Sequence, residues 1–142
     1  MAQVINPEGA GKERVHLARA VVVALRELMK QSKPDSESRD LAAFIALALE
    51  RIGETIDLSV TAWEKRGYWV KADRFRMEWE WASRIGARMR QAVLAGDWGQ
   101  VAESAGQAAQ KLMGIDVSPN HRLGRPWVGA WDKLVKETNR SK

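Results

Sequence analysis

The sequence predicts an all-α protein: an elongated antiparallel (up-down) four-helix bundle with a short C-terminal helix or basic arm. Three observations lead there. Apolar residues return every three or four positions through four segments, the period of one face of a helix. Proline, glycine and capping residues fall between those segments, around 34–36, 67, 96–97 and 114–119. No stretch alternates apolar and polar side chains convincingly with the period of two that a half-buried strand requires.

The elements follow in order. Asn6-Pro7 offers an N-cap and a first-turn proline, and Gly9 and Gly11 are expected to delay the regular helix to about Lys12. From there Val15, Ala18, Val22, Leu25 and Met29 share a face until Pro34 ends the helix. Asp35 or Ser36 caps a second helix over 36–66, with Leu41, Ile45, Ala48, Ile52, Thr55 and Ser59 on its seam. Phe44, Leu47, Leu49, Ile56 and Leu58 widen that apolar face, so this helix should be the most buried. Gly67 stops it.

The third helix reads as one continuous rod on a heptad seam: Tyr68, Ala72, Phe75, Trp79, Ala82, Gly86, Met89 and Val93. Gly96 closes it. Asp97-Trp98-Gly99-Gln100 has the spacing of a capping box and opens a short fourth helix with Trp98, Val101, Ala105, Ala108 and Leu112 inward. Pro119, Gly124 and Pro126 then break the chain, and Pro126 can start a short helix with Trp127, Trp131 and Leu134 on one side. Two parts are expected: residues 1–116 as the bundle, and 117–142 as a basic, Trp-containing arm packed on or beside it.

Composition narrows the function classes. The 142 residues fit one domain. Cysteine is absent, which excludes disulfide frameworks, thiolate metal sites and a Cys nucleophile. The longest uncharged apolar run, Leu41 to Leu49, is far below the roughly 20 residues that span a bilayer. No secretory pattern opens the sequence, so a cytoplasmic protein without a membrane partner is expected. The net charge of +5 permits an acidic partner, and seven tryptophans point to an extensive core or an interface.

Several chemistries are poorly supported. "GAGK" (Gly9 to Lys12) lacks the Ser or Thr that follows the lysine of a phosphate loop, and no strand precedes it. Glu13-x-x-His16 has the i,i+3 spacing of a di-iron helix, but the only other histidine, His121, lies outside any second motif. No serine occupies a nucleophile elbow. A non-enzymatic protein is therefore expected, with no catalytic residue, metal or cofactor.

What remains is the layout of cations and aromatics. On the first helix Lys12, Arg19, Arg26, Lys30 and Lys33 fall on one side, away from the apolar stripe. On the third, Arg74, Met77, Trp81, Arg84 and Arg88 form a ridge opposite the seam. The arm carries six cations against two carboxylates, net +4, with Arg122 and Arg125 near Trp127. The leading expectation is a helical binding or assembly protein that contacts nucleic acid through phosphate neutralisation, as a small subunit of a nucleoprotein complex. The alternative is a self-associating adaptor or scaffold with Met77 and Trp81 at a protein interface and no nucleic-acid role. Solvated helix faces would use the same charges.

Overall fold

The computed structural model describes residues 7–140, with side chains from Gly9 onward; the expected cap at Asn6 lies outside the described residues. Six helices are present among the described residues: α1 (Pro7–Met29), α2 (Ser36–Lys65), α3 (Trp69–Trp79), α4 (Trp81–Ala95), α5 (Trp98–Lys111) and α6 (Ala130–Arg140). The all-α class expected from the sequence holds, with no strand among the described residues. No helix among them is long and apolar enough to cross a membrane.

The arrangement differs from the expected up-down set of four. Helix α2 is a hub: α1, α3, α4 and α6 all pack against it, while α5 lies on α4 and only lightly on α1. The cause is legible in α2 itself. Leu41, Ala42, Ala43, Ile45, Ala46, Ala48 and Leu49 are all buried, which places apolar side chains around most of the helix circumference. A helix apolar over so much of its surface must be covered on several sides, and only a narrow strip with Arg39, Glu54 and Asp57 is left exposed.

Local chemistry sets the helix ends. The Asp35 carboxylate accepts from the Ser38 backbone N–H at 2.9 Å and caps α2. Asp97 caps α5 by accepting from Gln100 N–H at 3.1 Å. The reciprocal half of the expected capping box is missing, because the Gln100 amide turns to Ser104 Oγ instead. Helix α1 begins at Pro7 and runs through Gly9 and Gly11 without the expected delay. Ala10, already 3% exposed, packs this first turn in place, and such packing outweighs the modest helix cost of glycine.

The third helix is two helices. Glu80 interrupts it while keeping right-handed helical dihedrals. Residues two apart on an unbroken helix point about 200° from each other, yet the Trp79 and Trp81 rings stack with centroids 5.7 Å apart and planes at 24°. The expectation of one continuous rod is corrected accordingly.

Helices α2 and α4 approach very closely. A Cβ on Gly53 would meet Ser83 Oγ at 3.0 Å, and one on Gly86 would meet the Glu50 backbone nitrogen and Leu49 Cβ at 3.1 Å. Charge then ties the outer helices to the hub. Arg51 grips Glu13 of α1 at 2.7 and 2.8 Å, and Arg90 of α4 bridges Glu50 of α2 and Glu137 of α6 at 2.7 and 2.9 Å.

Residues 112–129 form a strap between α5 and α6. Val117 of the strap and Val23 of α1 line one cavity, and the Arg26 guanidinium donates to the Val117 carbonyl at 2.7 Å. Asp40 of α2 then accepts from Trp131 N–H at 2.9 Å and Gly129 N–H at 3.3 Å, so a side chain from another helix caps α6. Trp127, Ala130 and Leu134 belong to the same core as α2.

Two outcomes follow. Gly86→Ala gains helix propensity but forces a contact against backbone, so it should destabilise by about 1–2 kcal/mol. Gly106→Ala, where a Cβ meets open space, should stabilise by up to ~1 kcal/mol, and urea melts of the two variants measure both. The second outcome concerns acid. Hydrogen bonding to Arg51 holds the Glu13 carboxyl below its ordinary value of 4.5. Its contribution is complete above that value and is lost as pH falls through the lowered one. Glu13→Gln should therefore cost no more than about 1 kcal/mol at neutral pH, given its exposure, and flatten the loss of stability below about pH 4.5 in melts across pH.

Candidate functional site

The site is built where α2 ends. Gly67 takes a positive φ of 82°, a conformation other residues adopt at a cost. Tyr68 N–H then reaches the Trp63 carbonyl at 2.9 Å and Gly67 N–H the Glu64 carbonyl at 3.0 Å. This is a Schellman stop, and it turns the chain sharply into α3. Tyr68 and Trp69 emerge at that corner.

Helix α3 is held thinly. Ala72 is its one buried residue, and a ladder of aromatics and cations supplies the rest. Phe75 meets Trp63 edge-on at 4.8 Å, the Arg14 guanidinium lies 4.7 Å from the Phe75 ring centre, and the Lys71 ammonium sits 4.6 Å from that of Trp63. Arg14 has no carboxylate partner among the described residues. Its hydrogen bonds run to Thr55 and Ser59 oxygens at 3.3–3.4 Å, and burial pulls its pKa below the ordinary arginine value. It is a cation half removed from water and compensated by neutral groups.

The opposite face of α3 is uncovered. Tyr68 is 54% exposed, Trp69 60%, Val70 67% and Met77 76%. Val70, Arg74 and Met77 follow one another at spacings of four and three, so they form one ridge. Residues 64–77 carry five cations and two carboxylates. Arg76 is locked to both carboxylates, Glu64 at 3.2 Å and Asp73 at 2.8 Å, which raises its pKa. Lys65, Arg66 and Arg74 are exposed and have no ion-pair partner among the described residues. An aromatic corner with three uncompensated cations results.

The residues singled out from sequence scatter. Trp81 is 4% exposed, so the expectation that it stands on an outer ridge with Met77 is corrected. Helix α4 packs against both α2 and α5, and two neighbours widen the buried arc until Trp81, Ile85 and Ala92 fall within it. Tyr68, placed on the inner seam, is exposed. Met77 and Arg74 are exposed on α3. Arg84 pairs with Glu80 at 3.2 Å, while Arg88 is exposed without an ion pair among the described residues.

On α1, Lys12 and Arg19 lie exposed on the outer face, and Lys33 is exposed in the α1–α2 turn. Lys30 pairs with Glu27 at 3.2 Å, and Arg26 holds the strap, so the line of five cations is interrupted. Arg125 pairs with Glu37 and lies over the Trp127 ring at 5.7 Å; Arg122 is exposed. Helices α1 and α4 flank α2 without substantial contact, and their basic faces form no single patch.

Sequence reading missed Tyr68, Trp69, Val70, Lys65 and Arg66 as a surface. The ridge was legible one turn earlier than it was drawn, since Val70 precedes Arg74 by four. Among the described residues no group of acidic, His or Cys side chains is placed to hold a metal, and Gly9 to Lys12 lie within α1 rather than in a loop. No protein-family model, no curated protein and no solved structure matches the chain.

The two tryptophans give a direct check of these faces. Trp81→Ala should cost about 3–5 kcal/mol as a core truncation, whereas Trp69→Ala should stay within about 0.5 kcal/mol. Denaturant melts followed by far-UV circular dichroism measure both.

Proposed function

We propose that this chain is a non-enzymatic nucleic-acid-binding protein whose primary contact is the exposed corner of α3, and that it takes unpaired strands in preference to duplex. The observation that carries this reading is the exposure of Tyr68 and Trp69 beside the uncompensated Lys65, Arg66 and Arg74. Exposed rings offer stacking surfaces to bases, and cations around them neutralise the backbone. In a duplex the base faces are already stacked on one another, so the rings would find partners only at ends. The cations of α1, Lys12 and Arg19, lie on another helix and support at most peripheral backbone contacts.

The site asks for no chemistry beyond binding. The carboxylates nearest the corner, Glu64 and Asp73, are engaged by Arg76, and none is positioned with a second free carboxylate or a histidine for proton transfer. A small subunit of a nucleoprotein assembly fits this profile: a stable helical body with one adhesive, basic edge. Self-association is the competing reading, and the aliphatic Val70 and Met77 on the same ridge favour it.

Fluorescence anisotropy with labelled single-stranded and duplex oligonucleotides at several salt concentrations separates the two. Single strands should bind more tightly than duplex, with log affinity falling against log salt at a slope of about −2 for three neutralised phosphates. Trp69→Ala should weaken binding by about 1–3 kcal/mol. Equal affinity for duplex, indifference to Trp69→Ala, or a salt-resistant dimer in light scattering would overturn the reading.

A further inference from the structure

A second surface lies away from the α3 corner and is independent of the nucleic-acid reading. Where α1 and α5 run beside each other they touch only lightly. The side of α5 turned to the gap carries Ala102, Ala105, Gly106 and Ala109, too small to fill it. The trough left between them has a volume near 440 Å³, within the roughly 300–1,000 Å³ of small-molecule sites. Its walls are Leu25 and Leu28 from α1 and Trp98, Val101 and Ala105 from α5. From Trp98 to Ala109 it extends about 16 Å along the helix.

The lining is chemically one-sided. The apolar residues occupy the length of the trough, while Gln31, Ser32 and Lys33 gather at the α1–α2 turn. The Gln31 amide is already bonded to the Glu27 carbonyl. Lys33 is exposed and has no ion pair among the described residues. A long apolar channel ending at one unpaired ammonium matches a molecule with an aliphatic chain and a single anionic head.

From this geometry we infer that the α1–α5 trough binds an aliphatic carboxylate, its chain along α5 and its carboxylate at Lys33. The chain length follows from the trough, and the sign of the head from the lysine. A partner helix fits less well, because the gap is bounded at one end by the turn and by Trp98.

Gly106 makes the test clean. A Cβ there meets nothing within 4 Å, so Gly106→Leu places its side chain in the gap rather than in the core. The full chain is titrated with laurate below its micellar concentration by isothermal titration calorimetry, with dodecanol as the uncharged comparison. Laurate should bind saturably at one site. Gly106→Leu should weaken it at least about tenfold, with a melting temperature no lower than that of the parent chain and with nucleic-acid binding unchanged. Lys33→Gln should weaken laurate about two- to fivefold, the worth of an exposed ion pair, and leave dodecanol unaffected. Absence of saturable binding, or equal laurate affinity in Gly106→Leu, would overturn the site; equal affinity for dodecanol and laurate would overturn the anionic head. A dimer of the parent chain that Gly106→Leu dissolves in light scattering would assign the trough to a second copy instead.

Discussion

The close approach of α2 and α4 is the constraint on which the rest of the fold depends. At Gly53 and Gly86 the absence of a side chain lets one backbone come against the other, with Ser83 and Leu49 filling the space a Cβ would take. Glycine in a helix interior costs stability in isolation, and dense packing across the contact offsets that cost. Once α4 is fixed there, Arg90 stands where it can hold both Glu50 and Glu137. Thus α6 is attached through the same junction. On the other flank Arg51 performs the matching task for α1 through Glu13.

A hub helix covered on so many sides leaves little core for its outermost neighbour. Helix α3 receives only the far end of α2, buries Ala72 alone, and relies on Phe75, Trp63 and two flanking cations to stay in place. That economy is why Tyr68, Trp69, Val70 and Met77 stay outside. In most soluble domains such residues would be inside, and an exposed cluster of them is informative where a single one is not. The fold also divides its cations by role. Arg26, Arg51, Arg76 and Arg90 each hold a specific acceptor, while Lys65, Arg66 and Arg74 face water.

Much of the local structure could be read from residues. Asp35, Asp97, Gly67 and Gly96 mark helix ends through capping chemistry that acts over a few positions, and the helices begin or stop beside them. The seam positions Ala72, Ala82, Gly86, Met89 and Val93 are buried as their spacing implies. Trp81 and Tyr68 were misplaced for one reason. Periodicity gives the angle between two side chains on one helix, but not how wide an arc its neighbours cover. Helix α4 has two neighbours and swallows Trp81; α3 has a corner of one and leaves Tyr68 out. The break at Glu80 carried no signal, since neither Pro nor Gly stands there.

The residues alone settle that the chain is helical, where most of the segments end apart from the break at Glu80, and which segments carry surplus positive charge. Those properties depend on backbone propensity, capping and composition, all of which act within a few residues. Only the tertiary structure decided that α2 is the centre, that Arg26 serves the strap, that aromatic rings and free cations meet at the start of α3, and that a trough opens between α1 and α5. Each of these depends on distances between residues far apart in the chain. Those distances are set by how side chains fill the space between helices, and no local rule contains them.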